Sequence, residues 1–405
     1  MGTGFAGNII VVGVCGSIAA FKVAGWVSTL AKEEARVPVV MTDSAQKFIT
    51  PLTFAALTGE SVYTSMFADE HSGAMSHIEL AQEASVFLIA PASAQTIARL
   101  AHGFADDLLS TAVLATRAPV IVCPAMNTRM YQHRATQDNL SRLRQLGYTV
   151  VDPESGLMAC KDEGPGRLVE WESVQEVLWR SLRSLDLQGE QVLVTAGPTR
   201  EPIDPARFIS NRSSGKMGYA LARAAYRRGA DVVLVSGPST LSCPYGVRRI
   251  MVETAAEMFE AVCREFDKAT ILVKSAAVSD FRPAVQHEHK VKKKNGAPAL
   301  ELVRNPDILY EIGRKKRKPG QLVIGFAAES ENLEMEGKRK LQRKNLDMIA
   351  VNDISGSDTG FEADTNRLIL LTGDETIELP LLSKSETADR IFDVLKEKFR
   401  SSPLS

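Results

Sequence analysis

Apolar residues fall along this chain in two alternating rhythms. Short continuous runs, "NIIVVGV" (8–14), "RVPVVMT" (36–42), "SVFLIAP" (85–91) and "PVIVCPAM" (119–126), are rich in β-branched residues and lack polar alternation. Strands buried on both faces have this character. Between them, "SIAAFKVAGWVSTLAKEE", "AQTIARLAHG" and "DDLLSTAVLAT" repeat apolar residues every three or four positions, as a helix with one buried face does. Strand and helix in alternation predict βαβ units and a parallel sheet covered by helices.

The pattern then restarts. A second strand series, "EQVLVTAG" (190–197), "ADVVLVSG" (230–237), "ATILVKSAA" (269–277), "QLVIGFAAE" (321–329) and "LDMIAVND" (346–353), encloses helices such as "GYALARAAYRRG" and "AAEMFEAVCREFD". The amphipathic "WESVQEVLWRSLRSLDLQGE" bridges the two series, and a late helix, "TADRIFDVLKEKFR", is expected to pack on the second sheet. The expected fold is α/β, with two tandem doubly wound, Rossmann-like parallel-sheet domains covering 1–188 and 189–405. Ligands of such sheets bind beyond the carboxyl ends of the strands, so the chemistry is sought there.

Composition narrows the classes. The 405 residues suffice for two domains, and 44% hydrophobic with 24% charged residues is ordinary for a globular chain. A net charge of −1 and 6% aromatics, none interleaved with the basic tracts, argue against a nucleic-acid module. Five scattered cysteines without C-x-x-C spacing suggest neither a zinc site nor a disulfide framework, and suit a reducing cytosol. No basic n-region opens the chain and no apolar run approaches the roughly 20 residues of a membrane span. A cytoplasmic protein without membrane or nucleic-acid partners is expected.

In the first half, the strand-to-helix turn "GVCGSIAA" offers glycines for close approach and a helix start for an anion. Its spacing is not G-x-G-x-x-G. Thr42 and Ser44 follow the second strand, and such hydroxyls suit a mononucleotide phosphate or a ribityl chain better than an adenosine ribose. Three residues stand out. His77 in "SHIEL" is either catalytic or structural. Asn127 after "PAM" either binds a carboxylate or caps a turn. Cys160, in the Gly-rich stretch "SGLMACKDEGPGR", is either a proton donor on a lid or a small hydrophobe.

Together, "SHIEL", "PAMN" and "AC-x-D-x-GPGR" resemble the flavin-dependent phosphopantothenoylcysteine decarboxylase family. The resemblance implies FMN as acceptor and later donor of the electrons that let the substrate's cysteinyl carboxylate leave as carbon dioxide. It implies His77 as catalytic base, Asn127 as holder of the carboxylate and Cys160 as final proton donor. FMN contacts are implied for Gly16, Ser17, Ile18, Thr42, Ser44, Ser93, Ala94, Gln95 and Thr96. Two positions depart from the family pattern: Gln95 stands where several relatives have Asn, and Lys161 where the lid has Gly.

In the second half, "SNRSSGKMG" resembles a phosphate-binding P-loop only superficially. Ser210 stands where that motif needs Gly, and Met217 where it needs Ser or Thr. What remains is a polar loop leading into a helix from Gly218, with Ser213 and Ser214 as candidate caps. Three basic tracts, "HKVKKKNG", "GRKKRKPG" and "KRKLQRKN", follow. Arg314 to Lys318 read as solvated surface, whereas Lys340 and Lys344, four apart on one helical face, are placed to converge on a polyphosphate. Lys290 lies near the strand end "SAAVSDFRP", where Asp280 suits a Mg2+ ion or a ribose.

As an ordered set, "TAGPTREPIDPARFISNRSSGKMG", "SAAVSDFRP", "NPDI", "GFAAE" and "VND" resemble the phosphopantothenate–cysteine ligase domain, which bacteria fuse to the decarboxylase in this order. The resemblance spans about residues 8–395. It implies activation of 4'-phosphopantothenate by CTP to an acyl-cytidylate, followed by attack of the amine of L-cysteine. Asn211 is implied to bind the acyl-cytidylate. CTP contacts are implied for Ala276, Ala277, Asp280, Lys290, Asn305, Pro306, Asp307, Ile308, Phe326, Lys340 and Lys344, with Mg2+ on Asp280. Decarboxylase trimers and ligase dimers, combined in a dodecamer, are implied as well. Two rival readings predict otherwise: a flavin oxidoreductase joined to a dehydrogenase needs a G-x-G-x-x-G that this chain lacks, and a non-catalytic regulatory flavoprotein would lose His77 or the Cys160 lid, both present here.

Overall fold

The computed structural model describes residues 4–67, 76–157, 162–291, 299–315, 317–329, 331–353 and 364–399. The chain divides into two compact units, Met1–Leu182 and Arg183–Ser405. Cys160 and Lys161 lie outside the described residues.

In the first unit, strands β1 (Ile10–Val14), β2 (Val39–Met41), β3 (Val86–Ala92), β4 (Val120–Pro124) and β5 (Thr149–Val150) pair in parallel in the order β2-β1-β3-β4-β5. Every residue of β1 to β4 is buried, which is why the runs show no alternation. Helix α1 (Ala20–Lys32) buries Ala20, Val23, Trp26, Val27 and Leu30, a single stripe at helical spacing. Then come α2 (Pro51–Thr58), α3 (Ser76–Glu83), α4 (Ala94–His102), α5 (Leu108–Ala115), α6 (Thr128–Gln132), α7 (Arg134–Gln145) and α8 (Trp171–Leu182). Ser93 caps α4, and Gly103 ends it in a left-handed turn. The Gly-rich stretch expected as a loop has two paired arms instead, β6 (Glu154–Leu157) and β7 (Glu163–Arg167), running antiparallel.

In the second unit, β8 (Gln191–Ala196) is followed by a small antiparallel pair, β9 (Arg200–Asp204) and β10 (Arg207–Ser210). Next come β11 (Asp231–Ser236), β12 (Val247–Met251) and β13 (Ile271–Lys274), the pair β14 (Phe281–Pro283) and β15 (Leu302–Arg304), and then β16 (Leu322–Glu329) and β17 (Met348–Asp353). Four short strands close the series: β18 (Thr365–Asn366), β19 (Leu368–Leu371), β20 (Thr376–Glu378) and β21 (Leu382–Ser383). The main sheet runs β12-β11-β8-β13-β16-β17-β19-β20. Its first six strands are parallel, as expected; β19 and β20 are antiparallel, an edge that the apolar runs did not foretell. Helices α9 (Lys216–Arg227), α10 (Ala255–Phe266), α11 (Ile308–Arg314), α12 (Leu333–Arg343) and α13 (Lys384–Phe399) cover it. One core holds α9 and α13 on the sheet through Leu221, Ala222, Ile391 and Phe392. The other holds α10 and α11 through Met258, Phe266 and Ile312.

Candidate functional site

In both sheets the strands run outward in two directions from one central pair, β1–β3 in the first and β8–β13 in the second. The loops leaving such a pair diverge and open a crevice at the strand ends.

At the β1–β3 crevice lies a cavity of about 430 Å³ lined by Gly16, Thr42, Ser44, Ser93, Ala94, Gln95 and Thr96, seven of the nine residues expected around a flavin. A methyl group on Gly16 would stand 2.4 Å from the Ser44 Cβ, so only glycine lets these loops close together. The Ser93 hydroxyl accepts the Thr96 N–H at 3.3 Å and lies 3.2 Å from the Thr96 hydroxyl. Asp43, between the expected hydroxyls of Thr42 and Ser44, lines the cavity too. Arg99 is held at the wall by Asp107 at 2.8 Å and Asp106 at 2.9 Å.

The other two expected flavin residues, Ser17 and Ile18, line an adjoining cavity of about 320 Å³ with Lys22, Met126, Asn127 and Leu157. Hydroxyls and a helix start on one side of the β1–α1 turn, and apolar side chains on the other, fit a phosphorylated ribityl chain and a flat ring. Asn127 caps α6 by accepting the Arg129 N–H at 2.8 Å. Its Nδ2 donates to the Asp162 carboxylate at 3.1 Å. His77 stands half-buried in the first turn of α3 and lines neither cavity.

In the second unit a cavity of about 340 Å³ opens where β8, β13, β16 and β17 end. It gathers Asn211, Ala276, Ala277, Asp280, Phe326 and Lys340 from the expected set. The loop after β13 is pinned from several sides. The Thr195 hydroxyl accepts the Ala276 N–H at 3.2 Å, and Thr199 accepts the Ser279 N–H at 3.0 Å. Asn211 Nδ2 donates to the Val278 carbonyl at 3.0 Å, and Asn305 Nδ2 to the Ser279 carbonyl at 2.9 Å. Gly218 lets α9 sit directly on β8, because a methyl there would meet the Ala196 Cβ at 2.4 Å.

Positive charge dominates this cavity. Lys216, Lys274, Lys340 and Lys384 line it, with Asp280 as the sole carboxylate among the described lining residues. Lys274 Nζ donates to the Ala276 carbonyl at 2.8 Å. Burial, with Lys344 and Lys340 nearby, pushes Lys274 down to about 8 against the opposing pull of Asp307 and Asp280. Lys340 is paired with Glu329. Lys344 lies back from the lining, 2.9 Å from Asp307; burial works to raise that carboxyl, but the bond and charge of Lys344 carry it below its usual range. Asp307 also caps α11 through the Tyr310 N–H at 3.2 Å, and Ile308 is a core residue.

Several expectations change. The helix after the polar loop begins at Lys216, not Gly218, and its cap is Gly215 in a left-handed conformation rather than Ser213 or Ser214. The Ser213 and Ser214 hydroxyls accept the Gly215 and Lys216 N–H groups, at 3.3 and 3.5 Å. The tract read as solvated surface contains a shielded ion pair, Arg317 to Asp347 at 2.6 Å, with Arg317 only 15% exposed. Lys290 is exposed on a segment that runs along β9 and does not line the cavity; the His287 N–H donates to Ile203 and the Val291 N–H to Asp204. Lys216, Lys274, Lys384, Asn352 and Asn366 were not foreseen at the site. A lysine inside the apolar run "ILVK" was the one visible signal for Lys274.

Comparison with known proteins agrees with this division. The family described as "Flavoprotein" matches residues 6–183, and the family described as "DNA/pantothenate metabolism flavoprotein C-terminal domain" matches residues 187–399. The coenzyme A biosynthesis bifunctional protein CoaBC of Bacillus subtilis is 45% identical over 95% of this chain and 95% of its own. That of Escherichia coli K12 is 43% identical over 97% of this chain and 98% of its own. The crystal structure of the C-terminal domain of such a protein is 42% identical, covering 53% of this chain and all of its own, with a TM-score of 0.46. The chain belongs to the family of coenzyme A biosynthesis bifunctional proteins, enzymes that combine a decarboxylase domain and a ligase domain.

Proposed function

We propose that the second unit joins 4'-phosphopantothenate to L-cysteine at the expense of CTP, and that the first decarboxylates the product to 4'-phosphopantetheine with FMN. The observation that carries the ligase half is the lysine-lined cavity at the β8–β13 crevice. A substrate carboxylate attacks the α-phosphorus of CTP, and pyrophosphate leaves. The cysteine amine then attacks the acyl carbon, and CMP leaves with the bonding pair. Charge builds on the phosphate oxygens during the first step, where the ammonium groups of Lys274 and Lys340 stabilise it in a shielded site. Among the described residues no cluster of three or more acidic, histidine or cysteine side chains could hold a metal ion by itself. Mg2+ would enter as a companion of the phosphates, with Asp280 as its protein carboxylate. Asn211 braces the loop against which the acyl group would lie, and Phe326 offers an apolar wall. Lys290, Asn305, Pro306 and Lys344 remain proposed CTP contacts, resting on resemblance.

In the first unit, FMN when bound would supply the two-electron chemistry that makes loss of carbon dioxide easy. Gly16, Ser17, Thr42, Ser44 and the start of α4 would hold its phosphate and ribityl chain, and Ile18 its ring. Asn127 would exchange the Asp162 carboxylate for that of the substrate. His77 lies outside both cavities of its own chain, which favours a site completed by a neighbouring copy, in keeping with the trimers, dimers and dodecamer that the resemblance implies. A cytoplasmic location fits these metabolites.

Purified chain should be yellow and should form 4'-phosphopantetheine from 4'-phosphopantothenate, L-cysteine and CTP. Colourless protein, or product made without CTP, would overturn the reading. Lys290→Gln should suppress pyrophosphate release while leaving the flavin absorbance in place; unchanged release would remove Lys290 from the site.

A further inference from the structure

The two ends of the α9–α13 pair carry positive charge in opposite senses. At the carboxyl end of α9, where the helix dipole welcomes a cation, Arg228 lies 2.6 Å from Asp186 and 2.8 Å from Asp393. At the other end, Lys216 is the first residue of α9 and Lys384 the first of α13, where each dipole disfavours a cation. Lys384 is only 7% exposed, and both lysines line the cavity. Burial, then the neighbouring Lys216, lowers the affinity of Lys384 for its proton. Asp364, 2.5 Å from Lys216, is 86% exposed and screened by water.

A second observation points to a ligand. Asn366 is only 4% exposed and lines the same cavity, yet its Oδ1 has no hydrogen-bond partner and its Nδ2 rests on the Met217 thioether, a weak acceptor, at 3.3 Å. Turning the amide over would present an N–H donor to the cavity. The place of Asn366 is built in. β18 pairs with β21 through Asn366–Leu382 and Thr365–Ser383, and the Lys384 N–H donates to the Asp364 carbonyl at 3.1 Å. Ser383 and Glu386 cap each other's N–H groups, so the start of α13 is fixed before any ligand arrives.

We propose that Lys216, Lys384 and Asn366 form a phosphate subsite at the junction of α9 and α13, separate from Lys274 and Lys340, which takes a terminal phosphate group. This deepens the ligase reading and rests on it. Two phosphates of that reaction share this chemistry, the terminal phosphate of the nucleotide and the phosphate ester of the acyl substrate. One dianion there would meet two ammonium groups and an amide at a single junction of two helix starts.

The test uses the full chain. Calorimetric titration with inorganic pyrophosphate and with inorganic phosphate is run on the wild type, Lys384→Gln and Lys216→Gln, alongside KM for CTP and for 4'-phosphopantothenate. A nucleotide-phosphate subsite predicts that each variant weakens pyrophosphate binding and raises KM for CTP about tenfold, roughly the loss of one charge-assisted hydrogen bond. A phosphate-ester subsite predicts the same rise in KM for 4'-phosphopantothenate, with weaker binding of inorganic phosphate. If both constants and both affinities stay within about twofold in Lys216→Gln, whose side chain is partly exposed and leaves the core intact, the proposal is wrong. Wild type that binds pyrophosphate but makes no ligation product sinks the ligase reading instead, and the calorimetry still decides the subsite.

Discussion

The two units place a crevice at the same topological point and line it with opposite chemistry. Among the described residues, the wall of the β1–β3 crevice is mostly hydroxyls, small residues and helix starts, with Asp43 beside them and Arg99 neutralised by Asp106 and Asp107. Around the β8–β13 crevice the wall carries four lysines and one aspartate among the described residues. A bound group held for the life of the enzyme is served by many neutral contacts. A substrate that arrives with several charges and leaves in pieces is served by fixed cations, which count most when charge shifts during the reaction. Chemistry thus follows the lining, while the sheet topology only decides where the lining sits.

If the lysines are that difference, Lys340→Gln should lower CTP-dependent ligation by about 10²-fold, since Glu329 is then left unpaired as well. Decarboxylation of supplied phosphopantothenoylcysteine should stay unchanged; a parallel loss in both assays would mean that the variant merely unfolds. Arg228→Ala probes the other end of the same helix. It should cost about 3 kcal/mol of stability, because two carboxylates lose a shielded partner, with KM for CTP unaltered in the folded fraction. Denaturant unfolding of the second unit measures it.

Smaller still, Gly218→Ala should cost about 1–3 kcal/mol by forcing α9 off β8, and should weaken ligation because Lys216 moves with the helix. The smallest effect is one of pH. Lys274 at about 8 loses its charge as pH rises through that value, so pyrophosphate affinity should fall about three- to tenfold between pH 7 and 9. Lys274→Met should flatten that component. The stability sign is opposite: an unfolded lysine keeps its proton to about 10.4, so this residue's contribution to stability grows with pH between those two values.

The sheets were legible because their strands are unbroken apolar runs, a signal that survives without knowledge of neighbours. The edge strands β19 and β20 were not, since Leu368–Leu371 and Thr376–Glu378 are too short to carry a period. Among the residues lining the cavities, Gly16, Thr42, Ser44 and Ser93 were readable from their place just after strands. Lys384 and Asn366 were not, because only the β18–β21 pairing brings them beside Lys216. Lys216 illustrates a subtler failure. The Gly-Lys step does not match the P-loop spacing, and the mismatch gives no hint that its lysine lines the cavity.

The proposed function has one chain run two consecutive reactions, one at each crevice. Supplying 4'-phosphopantothenate, L-cysteine and CTP to the His77→Asn variant, and following pyrophosphate and carbon dioxide together, tests it most directly. Pyrophosphate should form at the wild-type rate while phosphopantothenoylcysteine accumulates in equal amount, with carbon dioxide release lower by about 10²–10⁴-fold. Carbon dioxide released at the wild-type rate, or pyrophosphate formation lost along with it, would contradict the claim.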